Sequence, residues 1–111
     1  LGLILSMSLK KNMVYKLIIK PKSQQDIREA MEWYKNQNIS LPEKFLEKID
    51  ESLLKIQKSP QHYQKRYKEI RIIFTKKFPY GIYYTVEDNT VYVHAVLHTK
   101  QNSDIVENRI K

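Results

Sequence analysis

The apolar residues of this chain change their spacing once, at Pro60, and that switch decides the fold class. Before it, Ile27, Ala30, Met31 and Tyr34, and then Phe45, Leu46, Ile49, Leu53 and Ile56, recur every three or four residues. That is the period of helices with one buried stripe. After it the period falls to two, through Ile70, Ile72 and Phe74, then Tyr80, Ile82, Tyr84 and Val86, then Val91, Val93, Ala95 and Leu97. Alternation of this kind is a strand signature. Ahead of both, Val14 to Lys20 also alternates, with Tyr15, Leu17 and Ile19 on one side and Pro21 as its stop. The order strand, helix, helix, strand, strand, strand predicts an α+β fold.

Punctuation between these segments supports the same reading. Ser23-Gln24-Gln25-Asp26 resembles a capping box for the first helix, and Ser40-Leu41-Pro42-Glu43 is one for the second. The link at Asn36 to Asn38 is so short that the helices must form an antiparallel hairpin. Glu87-Asp88-Asn89-Thr90 reads as a strand hairpin, and a short helix is expected from near Ser103. The expected architecture is a small, mainly antiparallel sheet with the helical hairpin on one face. Residues 1–12 do not match the pattern and are expected to be an extension, with Met13 as the natural start and 13–111 as a single domain.

Composition removes several classes of function. With no cysteine there is no disulfide scaffold, thiolate zinc site or Cys nucleophile. With glycine only at Gly2 and Gly81, no glycine-rich phosphate cradle can form. No apolar run approaches the roughly 18 residues of a membrane span. Charge is more informative. The net charge is +8, and between residues 52 and 86 a belt of Lys55, Lys58, Lys65, Arg66, Lys68, Arg71, Lys76 and Lys77 is opposed only by Glu69. Such a belt suits a polyanion, either nucleic acid or an acidic protein.

Chemistry-bearing residues are few. His94 and His98, four apart on the last strand, are expected on one face about 13 Å apart, too far to share a metal ion. His98, at the strand's exit, is the better candidate for a chemical role. Phe74, Tyr80 and Tyr84 are expected in the core, whereas Tyr83 and Tyr92 have the opposite parity and could stack a base. Trp33 is expected at the edge of the first helix's stripe.

The segments Lys77-Phe78-Pro79-Tyr80-Gly81-Ile82-Tyr83-Tyr84 and Val91-Tyr92-Val93-His94-Ala95-Val96-Leu97-His98, in this order of elements, resemble the RelE/ParE superfamily. These are the toxins of bacterial type II toxin–antitoxin modules, and the resemblance runs from Met13 to about Asn102. It implies a cytoplasmic toxin that inhibits growth and is neutralised by a cognate antitoxin in a hetero-oligomer, with no cofactor, metal or membrane. RelE-type members cut messenger RNA on the ribosome; ParE-type members poison DNA gyrase. Gly81 stands where Arg is common in the family, Thr99 where the nucleases carry a catalytic Arg, and no tyrosine follows Tyr92. What survives for a nuclease is His98 to move a proton and Arg71 to hold the phosphate. The pattern leans to the ParE side, and an inactive, antitoxin-binding relative is a further alternative. The resemblance places target binding on Lys76, Lys77, Tyr83, Tyr92, His94 and Lys100, and antitoxin binding on Trp33, Tyr34, Arg66 and Lys68.

Overall fold

The structure is a computed structural model that describes residues 15–101 and 103–110. The expected extension, the start at Met13 and Val14 lie outside the described residues. The elements are β1 (Lys16–Ile19), α1 (Pro21–Gln37), α2 (Leu41–Lys58), a 3-10 turn at Pro60–His62, β2 (Lys65–Tyr67), β3 (Ile70–Phe74), β4 (Tyr80–Glu87), β5 (Thr90–His98) and α3 (Asp104–Ile110). The strands form one sheet in the order β1-β5-β4-β3-β2. β1 runs parallel to β5, and the other three pairings are antiparallel.

Both capping expectations need correction. Pro21 does not merely stop β1; it opens α1, because a helix's first residue needs no backbone donor and Lys20 before it is extended. Ser23 therefore lies inside the first turn, fully buried, and its hydroxyl donates to the Val93 carbonyl of β5 at 2.9 Å. Ser40 makes no cap bond either; its hydroxyl donates to Asn38 Oδ1 at 2.8 Å.

The main core lies between the helical hairpin and the sheet. Phe45, Ile49 and Ile56 of α2 are fully buried against Ile82, Tyr84, Val91 and Val93. Leu46, expected in that stripe, is instead 37% exposed. The Phe45 ring meets Tyr34, Phe78 and Tyr80 at centroid distances of 5.4, 5.4 and 5.0 Å. The Tyr84 hydroxyl donates to the Pro60 carbonyl at 2.6 Å, which fixes the turn after α2.

β5 does not keep one face. Tyr83 pairs with Ala95 but Tyr84 pairs with Val93, so His94 is an extra residue, a bulge. The bulge turns Val91 and Val93 towards the helical hairpin and Ala95 and Leu97 to the opposite side. On that side Ile70, Ile72, Tyr83, Ala95 and Leu97 form a second apolar layer, covered in part by Val106 of α3. β3 contributes Ile73 to the helix side, and Phe74, expected in the core, is 53% exposed.

β1 accompanies β5 only from Thr90 to Val93. Beyond it, side chains occupy the outer edge of β5. Asp26 of α1 accepts the Val96 amide at 2.9 Å, and Arg109 of α3 donates to the His94 carbonyl at 3.0 Å. Arg109 also grips Asp26 with both nitrogens, at 2.6 and 2.9 Å. The ion pair thus joins α1 to α3 around the sheet's edge.

Candidate functional site

The basic belt divides into two groups. Lys65, Arg66 and Lys68 sit on the exposed β2–β3 hairpin, where Lys65 pairs with Glu69 at 3.2 Å and Lys68 takes a positive φ of 49°. Arg71, beside them, donates to the carbonyls of Gln61 and Tyr63 at 3.2 and 2.6 Å, which ties down the turn before β2. Lys76 and Lys77 lie at the opposite end of the sheet, both exposed on the β3–β4 loop.

That loop is held tightly. The Thr75 hydroxyl donates to the Phe78 carbonyl at 2.6 Å, and the Thr75 amide to Tyr80 at 2.9 Å. Lys77 sits at φ 69°, in the left-handed region that costs a non-glycine residue on the order of 1 kcal/mol. Thr99 donates to the Pro79 carbonyl at 2.8 Å, so the turn carrying His98 and Lys100 abuts this loop. Lys76, Lys77, Lys100 and the exposed ring of Phe74 therefore share one end of the sheet.

Gly81 lies beneath that end. A Cβ there would meet Ile72 Cδ1 at 2.8 Å and the Phe74 ring at 3.6 Å. The position that resembles the family's arginine is thus filled from the neighbouring strand.

His98 and Arg71 are not brought together. Arg71 is level with Tyr84 and His98 with Tyr80, two strands and four residues apart, roughly 16 Å. The His98 Nδ1 accepts the Lys100 amide at 3.1 Å, which places the ring proton on Nε2. An Nε2 that already carries a proton cannot take one up, so the imidazole is poorly set for general-base work.

His94 points elsewhere. The two histidines were expected on one face, but the bulge separates them. The His94 ring lies 2.8 Å from the Thr85 hydroxyl, whereas His98 stands edge-on to Tyr80 at 5.3 Å, on the helix side. Burial, and then the charge of Lys20, hold the His94 pKa below its ordinary value. The folded state therefore prefers the neutral ring, and the unfolded chain binds the proton more tightly. Stability from this group is complete above about pH 6.5 and is lost as the pH falls through the depressed folded value. The melting temperature should fall between pH 7 and pH 5 by more than that of a His94→Gln variant, the slope bounded at about 1.4 kcal/mol per pH unit for one proton. Equal slopes would remove His94 from the account.

The remaining expected residues fall as follows. Tyr34 is a core ring, 8% exposed, and Tyr83 is 6% exposed under α3, so neither is the open-surface ring its role supposed. Tyr92 is half-buried with Lys20 Nζ 5.4 Å from its ring centre. Trp33 is 58% exposed, further out than an edge-of-core position, and braced edge-on by Tyr34 at 5.1 Å. It flanks a cleft of about 280 Å³ shared with Glu29, Tyr80, Val96, His98 and Gln101. A second cleft, about 250 Å³, lies between Arg66, Tyr67, Tyr83 and the Val106 side of α3. Asp26 and Arg109 were missed as partners because they lie far apart in sequence and carry no local signal. Among the described residues no three His, Asp or Glu side chains are placed to share a metal ion, and no helix is long and apolar enough to cross a membrane.

Residues 17–103 match the family described as the ParE toxin of the type II toxin–antitoxin system parDE. Among solved structures, a chain of the chromosomal ParDE toxin–antitoxin system from P. aeruginosa shares this fold with a TM-score of 0.64 at 16% identity. The match covers 78% of this chain and 97% of that one. No curated protein matches the sequence.

Proposed function

The chain belongs to the ParE toxin family of type II toxin–antitoxin systems, and from that premise we propose that it arrests bacterial growth by acting on DNA gyrase. A cognate antitoxin in the same cytoplasm holds it in check as a hetero-oligomer. The observation that carries the gyrase reading over messenger cleavage is the separation of His98 from Arg71. Cleavage through a ribose hydroxyl needs a proton acceptor and a cation converging on one phosphate. Here they lie at opposite ends of the sheet, and each already serves the chain's own backbone. Binding, by contrast, needs only a presented surface. The rigid loop of Lys76 and Lys77 beside Lys100 supports that role, since exposed charges of one sign accelerate and orient docking on an acidic surface.

Inducible expression in a bacterial host, with and without the antitoxin, tests the reading. Growth should stop, DNA-damage signalling should rise and messengers should stay intact. Lys76→Glu with Lys77→Glu should weaken toxicity about tenfold or more, most visibly at low salt. His98→Ala should leave it within a few-fold of the parent. A drop of ~10²–10⁴-fold for His98→Ala, with mapped messenger cleavage lost alongside, would establish the nuclease instead.

A further inference from the structure

The cleft between α1 and the exit of β5 is unlike the rest of this basic protein. Its floor is the Tyr80 ring, nine-tenths buried, whose hydroxyl makes no hydrogen bond to another described residue and stays open to the cleft. Burial, and then the neighbouring Tyr34 and Asp26, push that phenol up to about 12, so it stays protonated. One wall is Trp33, with its ring open to solvent. The rim carries Glu29, of which only Oε2 is engaged, accepting Gln25 Nε2 at 2.9 Å. Asp26, deeper in, is already spent on Arg109 and the Val96 amide, so Glu29, which acts on Arg109 only at longer range, supplies the carboxylate outside that ion pair. His98 also lines the cleft, and with its Nδ1 taken by the Lys100 amide its Nε2–H is uncommitted among the described residues.

We propose that this cleft receives an arginine side chain from a partner polypeptide. The chemistry is selective. The Glu29 carboxylate repels an anion, and a purely apolar side chain would leave the Tyr80 hydroxyl unpaired and buried. A guanidinium can lie over the Trp33 face while its N–H groups donate to Glu29 Oε1 and to the Tyr80 oxygen. Lysine offers a compact, strongly hydrated charge that stacks less well. The His98 Nε2–H is left to donate to a carbonyl of the incoming segment. In a chain of net charge +8, this is a local negative spot beside an aromatic wall, and a cationic residue would settle there in preference to the surrounding surface. The inference is independent of what the toxin acts on.

Trp33 is the chain's single tryptophan, so its emission reports occupancy directly. The full chain would be titrated with a blocked Gly-Arg-Gly peptide, its citrulline counterpart, which is the same shape without the charge, and a Gly-Glu-Gly peptide. The arginine peptide should give a saturable change in emission, and citrulline should bind about tenfold more weakly. Glu29→Gln should abolish that preference. Tyr80→Phe should weaken the arginine peptide several-fold with near-unchanged melting. No saturable change with the arginine peptide, equal affinity for citrulline or for the glutamate peptide, or a preference that survives Glu29→Gln would each overturn the proposal.

Discussion

Arg109→Ala should lower the stability of the protein by about 3 kcal/mol, read from urea unfolding with unchanged slope. Most surface ion pairs are worth well under 1 kcal/mol, because water screens them and two long side chains must be immobilised. This one differs in three respects. Its partners retain only 20% and 10% side-chain exposure. The contact is two-pronged, and each partner also serves the backbone, Asp26 through the Val96 amide and Arg109 through the His94 carbonyl. Removing the guanidinium leaves a largely enclosed carboxylate uncompensated and a carbonyl unpaired, and the residual exposure of the pair keeps the cost at the low end of the 3–5 kcal/mol typical of buried pairs. Against a total stability on the order of 5–15 kcal/mol, that is a large fraction. Asp26→Ala should cost a similar amount, and the double variant clearly less than the sum of the two. A loss below about 1 kcal/mol for Arg109→Ala would reduce the pair to an ordinary surface bridge.

Phe45→Ala should be costlier still, about 4 kcal/mol. The ring is fully buried and touches three other aromatics, Tyr34, Phe78 and Tyr80, from two different layers of the fold. Truncation forfeits the transfer of the ring from water and leaves a void that rigid neighbours fill poorly, together with edge-to-face contacts worth about 0.5–1.5 kcal/mol each. Phe45→Leu should recover more than half of the loss. The check is a pair of chemical unfolding curves. Near-equal losses for Ala and Leu would mean that ring geometry, and not volume, is what the core requires.

The order of elements, short of β2 and the turn at Lys68 that joins it to β3, was legible because period and turn chemistry are local. The helical stripes through Ala30 and Tyr34 and through Phe45 and Ile49, and the turn at Asp88 with its left-handed φ of 54°, all lie where their spacing predicts. The misreadings share a cause. Val91, Val93, Ala95 and Leu97 look like one face in sequence, and only the pairing with β4 reveals that His94 is surplus and exchanges the faces. Ser23 has a cap's composition, but its neighbour Pro21 starts the helix two residues earlier and leaves Ser23 to bond across to β5. The candidate site was less legible. Lys76, Lys77 and Lys100 do gather, whereas His98 and Arg71 do not, since nothing in spacing along the chain encodes the distance between the two ends of a sheet. The Asp26–Arg109 pair links positions that only the finished fold brings together.

The parallel pairing of Ile19 with Val93 also sets a schedule for synthesis. Of the described strands β1 is made before the rest, yet the one it pairs with is β5, made roughly 70 residues later, or about 4–15 s at ordinary elongation rates. Through that interval α1 and α2 can zip together locally, but the sheet beneath their apolar stripe still lacks Val91, Val93 and Val96 of β5. A chain interrupted before β5 thus leaves that stripe incompletely covered and lacks a closed sheet, which makes it a substrate for chaperones and proteases. The sheet can close only once the ribosome has passed β5.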